Sequence, residues 1–392
     1  MLQCSMLDHL NFELITPTAA IHRKLHGARA KCLQRLIRLD MPVPDTVAIS
    51  SATVRAIAGG QQPEMARLLE YFGSWPVISV RSSPIMPDWG GPGTILNIGM
   101  NRTNEAFFAS RLGSEAAAAL HLKFIRSYAV DVARLDDEMF DMPNLTVEKA
   151  LAAYEDETDE AFPQEVEVQL FNVLKSMARA WEGTSARLLR MSKGAPENAG
   201  LGLVVQRMAF GMGKGESGSG VIQFINSDTG DAQEVGRYKR QSQGRDALSG
   251  GQDDTMYLTQ DERGPSLEES QPEIYTELRR LGRVGRTGLR EEMQIEFTLE
   301  GGNLYILDAV SAPRTARAEV AIVTKLAHDE IISREDAVLR IEPRAISELL
   351  HQQVAPKAKR DVLAAGIAAS PGAATGKLVF DSFAAQTSAA QG

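Results

Sequence analysis

The stretch Met293-Gln294-Ile295-Glu296-Phe297-Thr298-Leu299, Glu300-Gly301-Gly302-Asn303, Leu304-Tyr305-Ile306-Leu307-Asp308-Ala309-Val310 reads as a β-hairpin around a glycine turn. Its register decides which side chains share a face. A three-residue loop with a bulge pairs Leu299 with Asn303 and sets Asp308 opposite Gln294, on the face of Glu296. The other face is then Ile295, Phe297, Leu299, Tyr305, Leu307 and Ala309, all apolar. A two-residue loop would instead bury Asp308 beside Ile295. The first register is cleaner. It offers Glu296 and Asp308 as oxygen ligands for Mg²⁺, which takes one or two carboxylates plus substrate phosphates. The competing reading is a solvated strand face.

Upstream of the hairpin, residues 274–290 read as a helix weakened by Gly282, Gly285 and Gly288, carrying a basic cluster of Arg279, Arg280, Arg283, Arg286 and Arg290. Such a run is most often a solvated helix face. Further upstream, strands over 203–208 and 220–224 flank the glycines of 211–220. Gly213-Lys214-Gly215-Glu216-Ser217-Gly218 fits G-x-G-x-x-G, but it joins strand to strand, which excludes a Rossmann site. The loop is either a lid whose N–H groups cradle phosphates or the tip of a long hairpin. Residues 240–268 read as a flexible surface loop.

Toward the N-terminus, helices are expected over 20–40, 65–71, 104–134 and 165–189, and short strands over 47–49, 77–81 and 94–98. Arg81 ends a buried strand and enters a glycine-proline loop. A fixed cation there suits an anion such as phosphate, or forms an ordinary surface ion pair. After Pro313 the pattern is helical in pieces to about 363. A turn-rich linker over 366–372 and a last strand over 377–380 follow.

Mixed helices and strands indicate an α+β chain. Its 392 residues suit two or three domains. The balance of 42 Lys+Arg against 51 Asp+Glu, net −9, argues against broad nucleic-acid or anionic-membrane binding. No apolar run approaches a membrane span, and no secretory signal is visible. Cys4 and Cys32 read as reduced thiols of a cytoplasmic protein. The six histidines show no metal-ligand pairing.

Several motifs, in order, resemble the pyruvate phosphate dikinase and phosphoenolpyruvate synthase family. They are Leu39–Pro44, Val77–Ser83 with Met86-Pro87 and Thr94–Gly99, Val205–Gly211 with Ser217–Val221, Gln294–Thr298, Asp336–Pro343 and Gly366–Lys377. The resemblance covers about residues 22 to 381, the N-terminal nucleotide-binding part. It implies an ATP-grasp fold of two lobes, with a first lobe at 1–105 and a helical insertion and return helix at 106–190. It places a second lobe with glycine lid and metal hairpin at 191–318, a helical linker at 319–365, and the first strand of a swivelling phosphohistidine domain at 366–392. It implies that the sequence stops before the phosphohistidine motif and the C-terminal barrel, and that the full dikinase cycle is beyond this chain alone.

The resemblance also implies site residues. Arg81 matches a phosphate-binding arginine and Glu296 a metal-binding glutamate, the two expected to serve catalysis. Arg29 stands for a lysine and Lys123 for an arginine, both on phosphates. Gln206 and Met208 fall on the adenine side, and Gly213, Gly215 and Gly218 in the lid. The chain departs from the family at Gln294, where an acid is expected. Asp308-Ala309-Val310 replaces Gln-x-Arg, so Val310 removes a cation near the γ-phosphate. Asp308 is expected to replace the metal oxygen lost at Gln294. The favoured expectation is a module that binds Mg²⁺ and ATP with weak or lost phosphoryl transfer, regulating a partner or a full-length dikinase relative. The alternatives are an active phosphotransferase acting on a histidine of a separate protein or on a small acceptor, and a non-catalytic interaction scaffold.

Overall fold

The computed structural model describes residues 12–244, 255–262, 264–350 and scattered positions from 355 to 379. The expected linker and strand within 366–392 lie largely outside them. The chain divides into two compact units, residues 1–225 with 233–312, and residues 226–232 with 313–392.

The first unit holds two five-stranded sheets. The first runs in the order β1-β2-β5-β3-β4, with β1 at Phe12–Leu14, β2 at Thr46–Ile49, β3 at Ile78–Pro84, β4 at Ile95–Ile98 and β5 at Leu201–Arg207, all antiparallel. The second is β10-β9-β6-β7-β8, from β6 at Gly218–Ile225, β7 at Ala232–Arg240, β8 at Thr255–Tyr257, β9 at Met293–Glu300 and β10 at Asn303–Ser311. The α+β expectation holds, and the arrangement is compatible with an ATP-grasp fold.

The helices of this unit are α1 (Arg23–Arg38), α2 (Ser51–Ala58), α3 (Met65–Leu69), α4 (Glu105–Leu112), α5 (Ser114–Tyr128), α6 (Val147–Thr158), α7 (Val166–Glu182), α8 (Thr184–Ser192), α9 (Leu267–Ser270) and α10 (Pro272–Leu289). Strand alternation sorts the cores. Val47, Ile49, Leu203 and Val205 face one cluster with Ile57, Leu120, Phe124 and Leu174. Ala48 and Val204 face another with Leu33 and Leu36 of α1, Leu278 and Leu281 of α10, and Ile295 and Phe297 of β9. Each fully buried side chain of this size contributes roughly 1.5–3 kcal/mol. Helix α1 thus packs against both sheets and carries its polar edge between them.

Several expectations need correction. The helix expected over 104–134 breaks at Gly113, and that over 165–189 breaks at Gly183. Helix α2 and strands β1 and β7 were not anticipated. Within 240–268, β8 and the Ser266-capped α9 replace the expected loop, while 245–254 and 263 lie outside the described residues. The glycine stretch is not a hairpin tip, because β5 lies in the first sheet and β6 in the second. The α10 glycines face neighbours: a Cβ on Gly282 would stand 2.2 Å from the Phe224 ring, and one on Gly288 2.5 Å from Leu39.

The hairpin register also differs. Asn303 pairs with Glu300 across a two-residue Gly301-Gly302 turn, both glycines at positive φ (57° and 85°). Only such residues fit a tight turn whose twist matches the strands. A bulge at Leu307 then resets the ladder, so that Asp308 lies directly opposite Glu296 rather than Gln294. The shared face survives by another route. Ile306, not Tyr305 or Leu307, sits opposite Phe297 on the apolar side.

In the second unit, α11 (Ala316–His328), α12 (Arg334–Arg340) and α13 (Pro343–Leu349) follow one another. Thr315 and Ser333 cap α11 and α12. Thr315 also bonds the 226–231 turn, its N–H donating to the Ser227 carbonyl at 2.9 Å.

Candidate functional site

Four elements of the first unit bring two cations and two carboxylates together. Gly27 interrupts α1 with φ 85° and ψ 176°. There the helix rests on β3: the Ala30 N–H donates to Ser83 Oγ (3.1 Å), and Ser83 Oγ donates to the His26 carbonyl (2.7 Å). Two residues past the kink, Arg29 donates from NH1 to the Ser82 carbonyl and from Nε to Asp308 Oδ2 (2.7 Å). From β3, Arg81 reaches Glu296 Oε2 at 2.5 Å and stands 3.9 Å from Asp308 Oδ2. Its NH1 donates to the Leu307 carbonyl at 2.9 Å. That carbonyl belongs to the bulge residue, so the irregularity supplies an acceptor as well as a register shift. Asp308 Oδ1 accepts from the Ala309 N–H (2.9 Å).

This cluster is buried. Arg81 and Glu296 are each 9% exposed and Asp308 1%, which excludes both a solvated strand face and a surface ion pair. Burial alone would lower the Arg29 pKa and raise that of Asp308. Their mutual attraction, aided by Glu296 on one and Arg81 on the other, reverses both, so both stay charged. Arg81 Nε is buried without a hydrogen-bond partner. Buried ion pairs rarely stabilise a fold better than apolar residues would, while stranding one partner costs about 3–5 kcal/mol. A neutral cluster with an unused donor therefore has chemistry as its better rationale.

The carboxylates suit a hard cation in donor type. Among the described residues no group of three or more His, Cys, Asp or Glu is placed for a metal, so such an ion would rest on Glu296, Asp308 and ligand oxygens. Each carboxylate would have to release a guanidinium first.

The other expected residues lie elsewhere. Gln206 is buried in β5 beside Thr46, donating to its Oγ1 at 3.0 Å. Lys123 on α5 donates to the Gln243 carbonyl at 2.7 Å. Met208 lines a pocket of about 500 Å³ with Phe72, Trp75, Phe107, Phe210, Arg111, Arg207, Glu300 and Tyr305. Arg207 follows by three residues Val204, the partner of Arg81, and Tyr305 precedes Asp308 by three. At about 3.3 Å per residue the pocket opens roughly 10 Å along the strands from the cluster. Its aromatic wall was missed because it comes from segments far apart in sequence, none with a telling spacing.

Gly213 and Gly215 sit in the crossing between the sheets, and Gly218 begins β6. The Gly213 N–H donates to Gln241 Oε1 (2.9 Å), and Lys214 Nζ donates to the Ser110 carbonyl (2.8 Å). Glu300 accepts from the Phe210 N–H (3.0 Å) and from Arg111. The Gly302 N–H donates to the Glu216 carbonyl (2.7 Å). The glycine segment is therefore tied to α4 and to the hairpin turn. In the basic cluster, Arg279, Arg280 and Arg286 pair with Glu234, Glu277 and Glu292. The Cys32 thiol is free and donates to the Ala309 carbonyl, with burial pushing its pKa up to about 12. Among the described residues no helix is long and apolar enough to cross a membrane.

No protein-family profile matches the chain. Individual relatives do. Pyruvate, phosphate dikinase of Rhizobium meliloti is 30% identical, over 91% of this chain and 45% of that protein. The enzyme of the same name from Clostridium symbiosum is 30% identical over the same shares. Pyruvate, phosphate dikinase 2 of Zea mays is 27% identical over 94% of this chain and 46% of its own length. The chain spans slightly under half the length of these relatives.

Proposed function

We propose, from the premise that this chain belongs to the pyruvate phosphate dikinase family by sequence, that it is a dikinase-like ATP-grasp module that binds Mg-ATP and transfers its phosphoryl group weakly or not at all. The observation that carries this reading is the convergence of Arg29, Arg81, Glu296 and Asp308 from α1, β3, β9 and β10 into one buried cluster. In it the guanidinium groups take phosphate oxygens by paired hydrogen bonds. Glu296 and Asp308 are the residues that would hold Mg²⁺, which when bound neutralises charge on the β- and γ-oxygens. Arg81 Nε is a donor ready for a ligand oxygen. The pocket beside Met208 has the aromatic wall and the distance along the strands that a base requires. The glycine segment 211–217 closes the ligand in, and Lys123 joins it on leaving the Gln243 carbonyl. On this reading the two sheets stand for the two lobes, with β5, from within 191–318, joining the sheet of the first.

Weak transfer follows from the next pair along the hairpin. Val310 stands opposite Gln294, one ladder step beyond Ala309 and Ile295. An apolar side chain and a neutral amide there supply neither the cation nor the acid that the resemblance implies, and phosphoryl transfer depends on such charges. Regulation of a full-length relative suits a site that binds without turnover.

Calorimetric titration of the full chain with ATP, with and without Mg²⁺, tests the reading. Magnesium-dependent binding, weakened at least roughly tenfold by Arg81→Met or Glu296→Gln, is the expected result. No heat and no thermal stabilisation at millimolar ATP refutes it. A second reading, transfer to a histidine on a separate protein, draws on the same Arg81–Glu296 pair. Labelling of such an acceptor from γ-labelled ATP would establish it.

A further inference from the structure

Asp308 holds the cations that a nucleotide would need. Its Oδ2 lies 2.7 Å from Arg29 Nε and 3.9 Å from Arg81 NH2, while its Oδ1 is fixed by the Ala309 N–H. The side chain is 1% exposed, so water does little to screen it. Arg29 is engaged by Asp308 and the Ser82 carbonyl, and Arg81 by Glu296 and the Leu307 carbonyl. A carboxylate thus occupies the donors whose geometry fits a phosphoryl group equally well. An incoming phosphate meets its negative charge where water is largely excluded and screens like charges little.

Resting on the reading of this cluster as a nucleotide site, we infer that Asp308 is a built-in competitor for the phosphates, and that it makes binding depend on a divalent cation. With the cation present, Asp308 exchanges Arg29 for the metal and the guanidinium becomes free for phosphate. Without it, ligand and carboxylate contend for the same donors.

The test compares the full chain with its Asp308→Asn variant by calorimetry, using ATP in excess Mg²⁺ and ATP in a chelator. In chelator the variant is expected to bind at least about tenfold tighter than the parent. In Mg²⁺ it gains nothing or loses affinity, so the dependence on the cation shrinks. Equal or weaker binding by the variant in chelator overturns the inference, and leaves the proposed function standing if the parent still binds Mg-ATP. Binding by the variant where the parent binds under neither condition overturns the cation dependence and removes the proposed function. No binding by either protein overturns both. Should Asp308→Asn fail to fold, Asp308→Ser, which also removes the charge and keeps both guanidinium groups, takes its place: chelator affinity above the parent's supports the inference, and affinity at or below it overturns it.

Discussion

Replacing Gly27 by alanine would separate α1 from β3 and carry Arg29 with it. Gly27 has φ 85° and ψ 176°, a region that residues with a Cβ avoid at a cost of about 1–3 kcal/mol. A Cβ there would stand 1.6 Å from the Ser83 carbonyl oxygen, so backbone must move. The displacement breaks the Ala30–Ser83 and Ser83–His26 hydrogen bonds, at about 1 kcal/mol each. The total is about 3–5 kcal/mol. At about 2 °C per kcal/mol for a unit of this size, the melting temperature falls by roughly 6–10 °C. Gly60→Ala is the control. Its φ is 94°, but nothing lies within 4 Å of an added Cβ, so only backbone strain of about 1–2 kcal/mol remains. Thermal unfolding followed by circular dichroism measures both, and titration with Mg-ATP should show a loss in Gly27→Ala alone. A Gly27→Ala protein that melts together with Gly60→Ala would refute the reasoning that this contact seats α1.

Three further outcomes are expected. Glu300→Ala removes the acceptor of the Phe210 N–H and the partner of Arg111, so tryptic cleavage at Lys214 should accelerate about tenfold, the equivalent of one lost charge-assisted bond; an unchanged rate would show the segment is held otherwise. Gly282→Ala gains about 1 kcal/mol of helix propensity but drives a Cβ to 2.2 Å from the Phe224 ring, so urea denaturation should show a net loss of about 1 kcal/mol, relieved by Phe224→Ala. His121 is fully buried, its Nδ1 3.4 Å from Glu105 and its Nε2 unpartnered; burial lowers its pKa below 6.5, outweighing Glu105. The unfolded chain therefore takes up the proton first, and stability falls as pH drops below about 6.5. His121→Gln should flatten the fall in urea midpoint between about pH 7 and pH 5, with His26 supplying what remains; an identical slope would remove His121 from the account.

How much was legible differs between elements for physical reasons. Helix α10 and strands β9 and β10 were readable because periodicity and a glycine turn are local signals. The breaks at Gly113 and Gly183 were not, because a glycine inside an apolar pattern only weakens a helix until tertiary packing decides. The hairpin shows both sides. Its existence and its acidic face were visible, yet its turn and its bulge were not, since Gly301-Gly302 allows either loop length. Arg81, Glu296 and Asp308 could be chosen by type and place, whereas the aromatic pocket beside Met208 left no trace in spacing.

Sequence alone determined the α+β class and the kinship over nearly the whole chain. These rest on residue type and on patterns within a few positions. Tertiary structure decided that β5 and β6 enter different sheets, that a bulge at Leu307 turns Asp308 to face Glu296, and that Asp308 meets Arg29, 279 residues away, rather than solvent. Such pairings depend on which distant segments exclude water together. No local propensity encodes that choice, so the same four side chains read as ligands in the sequence and as each other's partners in the fold.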